Sequence, residues 1–203
     1  MSLRFVLIIC VHLISALQPS LLDDWLGDAH ILNAVHKNSE EKHFRFTRQI
    51  TRELCCGYED FNLDKYTNDI NTCYKELLSR KVSKGNMTIC ILECVGKRRG
   101  FVNKQGYIKM DKMDEICKDC FQNPEMRDLA ENMCHGFDDM NNASKGLNKK
   151  FYLTCNSAIY SLLSQLSYNL LMFCPEDMKQ RSTSCNEKRE EYNQKKKDAK
   201  AKH

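Results

Sequence analysis

Eleven of the twelve cysteines in this chain stand at positions 55, 56, 73, 90, 94, 117, 120, 134, 155, 174 and 185. Whether such residues are bridges, metal ligands or redox groups depends on the compartment, because disulfides persist where the surroundings oxidise. The N-terminus bears on that choice. Met1 to Leu17 has one early positive charge, Arg4, then Phe5-Val6-Leu7-Ile8-Ile9 and the small residue Ala16. This order is that of a secretory signal peptide, read as residues 1–16, and it contains the twelfth cysteine, Cys10. The apolar run is short for a membrane span and His12 interrupts it, so no stable membrane insertion is expected. A secreted, extracellular chain with eleven cysteines has room for five bridges and leaves one thiol over.

Other uses of the same residues fare worse. Cys90-x3-Cys94 with Cys117-x2-Cys120 could supply four thiolates to structural zinc in a reducing compartment, but behind a signal peptide the disulfide reading prevails. A redox role for Cys117-Lys118-Asp119-Cys120 would be expected beside a βαβ pattern, and none is present. Gly96, Gly100 and Gly106 do not make a phosphate cradle, since no strand precedes them and no Gly-Lys-Ser/Thr follows. They are read as ending a helix and turning the chain, with Lys97, Arg98 and Arg99 in solvent.

Apolar residues recur at helical spacing and proline occurs only at 19, 124 and 175, so an all-α fold is expected. Helices are placed over Leu22–Val35, Ser39–Cys56 with Gly57 as its cap, Asn62–Arg80, Met87–Val95 ending at Gly96, and Asp111–Phe121. Asn123-Pro124-Glu125 has the cap, proline and acid of a helix start, and that helix should reach His135. After a loop over Asn141–Asn148, the longest helix is expected from Lys149 to Phe173, and Pro175 should begin a last one. In the 149–173 segment Cys155, Ile159, Leu162, Leu163, Leu166, Leu170 and Phe173 fall on one side, and Ser157, Ser161, Ser164 and Ser167 on the other. Such a helix should be central, forming core or lining a cavity.

The formal charge of +4 lies mostly in the tail from Asn186 to His203, where seven Lys or Arg face four acids; Arg4 belongs to the signal, and the body is near neutral. No basic stripe for nucleic acid is therefore expected. Of the histidines, His30, His36 and His43 lie in the N-terminal region, His135 adjoins Cys134 and His203 is terminal. None belongs to a nucleophile or metal motif, so neither an enzyme, a metal site nor a cofactor is expected; pH sensing by His135 is the minor reading. Asn86-Met87-Thr88 and Asn142-Ala143-Ser144 are glycosylation sequons.

The cysteine spacing resembles one family. Cys90-x3-Cys94, thirty-nine residues to Cys134, twenty to Cys155, then Cys174-Pro175-x9-Cys185, with the Cys55-Cys56 pair and Gly106-Tyr107-Ile108, look like the insect odorant-binding proteins of the Plus-C subgroup over residues 55–185. One position departs: the family's fifth conserved cysteine would fall at Gln165. The resemblance implies that this cysteine bridges to the first member of the C-x3-C pair, so Cys90 is the first candidate for the free thiol unless it takes an extra cysteine. It further implies that Cys94 bridges back to the Cys55-Cys56 region and Cys134 forward to Cys174.

The expected organisation is a signal peptide (1–16), an N-terminal helical extension (17–54), an odorant-binding-like domain (55–185) and a charged tail (186–203). The expected fold is a disulfide-linked bundle of about six to eight helices around an apolar cavity. The resemblance implies a carrier that takes odorants, pheromones or similar small apolar ligands through aqueous lymph toward an olfactory receptor. Its cavity is assigned to Ile159, Leu162, Leu163, Leu166, Leu170 and Phe173, with Tyr160 as the polar contact. The competing expectation is a secreted interaction module or homodimer without a cavity. It is motivated by the odd cysteine and by the segment before Cys55, with Trp25.

Overall fold

The computed structural model describes residues 55–57, 59 and 62–201; the expected signal peptide, the helix placed at 22–35 and residues 39–54 of the helix placed at 39–56 lie outside them. The described residues divide into two units at the Gln180–Arg181 junction. The first contains α1 (Thr67–Ser79), α2 (Lys84–Arg98), α3 (Met113–Lys118), α4 (Pro124–Cys134), α5 (Met140–Lys150) and α6 (Ala158–Phe173). The second contains α7 (Thr183–Ala201). Short 3-10 turns, Asp64–Tyr66 and Met110–Lys112, lead into α1 and α3. Among the described residues there is no strand, only isolated bridges between Cys56 and Lys179 and between Val102 and Ile108.

In the first unit α1 buries Ile70, Cys73 and Leu77, the repeat of one helix face, and packs on α2. Helix α2 is buried more broadly, at Met87, Ile89, Cys90, Ile91, Leu92, Glu93 and Val95, because α1 and α6 both pack against it. It does not stop at Gly96. That glycine lies inside the helix, where an added Cβ would come within 2.2 Å of Ile159 Cδ1. Gly96 therefore permits the close approach of α6 instead of capping α2. The helix ends at Gly100 (φ +73), where Phe101 N–H donates to the Gly96 carbonyl at 2.8 Å and Gly100 N–H to Lys97 at 3.2 Å. This pair of bonds is a Schellman cap, which needs a left-handed residue at the glycine position.

The start of α4 follows the sequence: Asn123 Oδ1 accepts from Glu125 N–H at 2.8 Å and from Met126 N–H at 3.3 Å, ahead of Pro124. Elsewhere tertiary contacts override local preference. The stretch expected as a loop at 141–148 is α5, rich in Asn and poor in helix propensity, and it buries Met140, Ser144 and Leu147. Its Asn141 amide grips the backbone of Ile108 in both directions at 2.9 Å. Conversely, the single helix expected over 149–173 breaks at 151–157, where Tyr152 adopts φ +50.

Helix α6 stops at Cys174, which is extended (ψ 133) because a residue before proline disfavours helical geometry. Pro175 does not open a helix. The chain beyond it runs against residues 55–57: Gly57 N–H donates to Met178 O at 2.8 Å and Gln180 N–H to Cys55 O at 3.1 Å. Cys55 and Cys56 are correspondingly non-helical, in contrast to the helical end expected at Cys56.

Four bridges join these parts: Cys56–Cys174, Cys73–Cys94, Cys90–Cys155 and Cys117–Cys134. Cys55 and Cys185 each take part in a disulfide as well. The free cysteine among the described residues is Cys120, not Cys90. The break at 151–157 explains the difference, since it leaves Cys155 outside α6, where it reaches Cys90. Cys94 bridges to Cys73 and not to the 55–56 pair, because α1 is the helix lying along α2. Cys134 bridges to Cys117, across the short turn between α3 and α4, and Cys174 pairs with Cys56.

The Gly96 contact sets a clear expectation. Gly96→Ala should lower stability by roughly 1–3 kcal/mol through overpacking against Ile159, read as a lower denaturant midpoint. An unchanged midpoint would contradict the close crossing of α2 and α6.

Candidate functional site

Helix α6 carries most of the expected ligand-contacting residues. Ile159, Tyr160, Leu162, Leu163, Leu166 and Leu170 are all buried. Phe173 is not: it is 64% exposed in the last turn, with its ring edge-on to Tyr168 at 6.3 Å. The structure therefore separates it from the other six. At 3.6 residues per turn Ile159, Leu162, Leu163, Leu166 and Leu170 share one face, and Ile159 turns toward Gly96 of α2. Tyr160 stands toward the other side, beside the serines.

The serine side is not a solvated face. Ser157 is 1% exposed and Ser161 6% exposed. The hydroxyl oxygens of Ser157, Ser161 and Ser164 are enclosed and have no hydrogen-bond partner. Spaced at i, i+4 and i+7, they form a line along the helix. Buried hydroxyls without partners are uncommon, and each costs on the order of 1–3 kcal/mol.

The N-terminal end of α6 is fixed by a buried carboxylate. Glu93 of α2 accepts from Asn156 N–H at 2.8 Å and pairs with Lys97 at 2.5 Å. Asn156 in turn accepts from Ala158 N–H at 3.0 Å, capping α6, and donates to Gln105 O at 3.0 Å. Gly106 (φ +85) closes against the same carboxylate, with room for no side chain: an added Cβ would meet Glu93 Oε1 at 2.5 Å. Thus the Gly96–Gly106 stretch turns the chain at Gly100 and Gly106, and its tip packs on Glu93.

A second cluster surrounds Cys120. The Tyr66 hydroxyl donates to Asp119, Lys65 pairs with the same carboxylate, and the Tyr66 ring lies edge-on to Phe101 at 6.0 Å. Burial, then the bond to Asp119, raises the Tyr66 pKa. Burial, and secondarily the Asp119 charge, pushes the Cys120 thiol up to about 12, and Cys120 Sγ donates to Ile116 O at 3.3 Å. Such a thiol is protonated and unreactive near neutral pH. Cys90, Cys94 and Cys117 are in disulfides, so the four-thiolate zinc set is excluded; Cys117 and Cys120 are not joined to each other.

One grouping escaped the sequence reading. Asp114 on α3 meets Glu131 of α4 and His135 just past its end, with one ligand atom from each lying within 4.8 Å of the others. Its sequence trace is Glu131-x3-His135, which puts both side chains on one side of a helix. Of the two sequons, Asn142 is exposed on α5 and its amide donates to Asp139 Oδ1 at 3.3 Å, while Asn86 donates to Ser83 Oγ at 3.0 Å and Thr154 Oγ1 at 3.4 Å.

No family model, curated protein or solved structure matches this chain. What the fold itself defines is a helical domain crosslinked by several disulfides, as oxidising surroundings allow. Among the described residues no helix is long and apolar enough to cross a membrane.

The buried thiol gives a direct check. Native oxidised protein should resist alkylation at Cys120 near neutral pH, and denaturation without reductant should expose Cys120 while Cys90 stays blocked. Rapid alkylation of Cys120 in the native protein would contradict its burial.

Proposed function

We propose that this chain is a secreted, non-enzymatic carrier that reversibly binds a small, mainly apolar molecule within its helical domain, against α6. The observation that carries the reading is that α6 is buried on its leucine side while three hydroxyls on its other side, those of Ser157, Ser161 and Ser164, are enclosed without partners. A ligand with an apolar body and one oxygen function would bury against the leucines or Tyr160 and satisfy a hydroxyl. Burying ~300 Å² of apolar surface at about 25 cal/mol/Å² gives a gross gain of ~7 kcal/mol, which association costs reduce toward micromolar affinity. The binding residues are Ile159, Tyr160, Leu162, Leu163, Leu166 and Leu170.

Of the bridge order that the odorant-binding resemblance implies, one feature is kept: a partner for Cys90 that lies C-terminal to it. The first cysteine of the C-x3-C pair, Cys90, is bridged forward to Cys155, and the second, Cys94, is bridged backward to Cys73. Cys155 thus takes the partner role assigned to position 165. Cys94 departs from the implied order by pairing with Cys73 instead of the Cys55-Cys56 region, and Cys134 departs from it by pairing with Cys117 instead of Cys174. On this reading the ligands are odorants, pheromones or related semiochemicals carried to a receptor. A dimer linked through the leftover thiol is disfavoured, because Cys120 is buried.

Displacement of a fluorescent apolar probe tests the proposal. Oxidised protein should bind the probe, release it to long-chain alcohols at micromolar concentration, and lose binding on reduction. Ser161→Ala should weaken an alcohol about tenfold relative to the alkane of equal length, the worth of one hydrogen bond. Absence of probe binding by the oxidised protein would overturn the carrier reading.

A further inference from the structure

We infer that Asp114, Glu131 and His135 form a binding site for a divalent transition-metal ion, with zinc as the best match. Glu131 and His135 lie four residues apart at the end of α4, and Asp114 faces them from α3. His135 Nδ1 and Asp114 Oδ1 are already 3.4 Å apart. All three ligand atoms lie within 4.8 Å of one another. Zinc bonds of about 2.0–2.2 Å to nitrogen and oxygen require neighbouring ligands roughly 3.5 Å apart; His135 and Asp114 already have that spacing, and Glu131 lies within 4.8 Å of both.

The backbone beneath the cluster is held independently. The Cys117–Cys134 bridge joins the same two helices, with Cys134 adjacent to His135 and Cys117 three residues beyond Asp114. The bridge limits how far the two helices can separate beneath the ligands, which lowers the ordering cost of bringing them together. One imidazole and two carboxylates suit zinc, copper(II) or nickel, while calcium and magnesium favour all-oxygen sets. Because the cluster reaches the surface, the remaining coordination positions are open to water.

A cation already occupies part of this position. Lys118 Nζ lies 2.6 Å from Glu131 Oε2, so an entering ion must displace the ammonium. That competition separates a metal site from a surface ion-pair cluster, since removing Lys118 should help one and leave nothing for the other to gain. The inference does not depend on the carrier reading.

The test is isothermal titration of the oxidised, chelator-treated full chain with Zn²⁺, with Ca²⁺ alongside. One equivalent should bind with micromolar affinity and Ca²⁺ should give no comparable signal. His135→Ala and Asp114→Asn should each weaken this event at least tenfold, and Lys118→Met should strengthen it several-fold, with circular dichroism and the denaturant midpoint of each variant checked for folding. No zinc binding, affinity unaffected by His135→Ala, or a Lys118→Met variant that folds and binds no better would each overturn the site.

Discussion

Helix α2 is packed on two flanks, and the two cysteines it carries four residues apart determine what lies on each. Cys94 is tied to Cys73 of α1, and Cys90 to Cys155 at the lead-in to α6. An i, i+4 pair puts both sulfurs on one side of the helix, so two elements distant in sequence are anchored to the same rod. Between and beyond them Glu93 receives the Asn156 amide and Gly96 admits Ile159. The Cys90–Cys155 bridge spans 65 residues, enough to restrict the unfolded chain by about 4 kcal/mol in the loop-entropy account. Bridge, buried carboxylate and missing side chain thus act on one crossing.

That crossing is what encloses α6. Ile159 is pressed onto α2, and α4 and α5 also contact α6. The leucine repeat would bury one face in any helical domain. On the other side of α6 the hydroxyls of Ser157, Ser161 and Ser164 are enclosed without partners, and a ligand bearing oxygen would relieve that cost. Three further bridges hold α1 on α2, α3 on α4, and the 174–180 segment beside residues 55–57.

The helical class was legible because apolar periodicity and scarce proline act locally, and the Asn123-Pro124-Glu125 start was legible for the same reason. Whatever depended on partners was harder to read. Gly96 looks like a stop signal in sequence, yet it is the groove into which Ile159 fits. The Asn-rich 141–148 stretch reads as loop, but Met140, Ser144 and Leu147 gain enough from packing to hold a helix. Cys155 sits in register with the α6 leucines, so sequence periodicity absorbed it into that helix. Once it falls in the break, Cys90 has a partner and the leftover thiol moves to Cys120. For the candidate site, burial of the leucine face was readable from its repeat. Exposure of Phe173 and enclosure of the serines were not, since both depend on neighbours that local periodicity does not specify.

The anchoring of two elements on α2 is tested most directly by mapping the disulfides of the oxidised protein, through digestion at low pH and mass spectrometry before and after reduction. The account predicts peptides joining Cys73 to Cys94 and Cys90 to Cys155. Peptides joining Cys94 to Cys55 or Cys56, with Cys90 recovered as a free thiol, would contradict it.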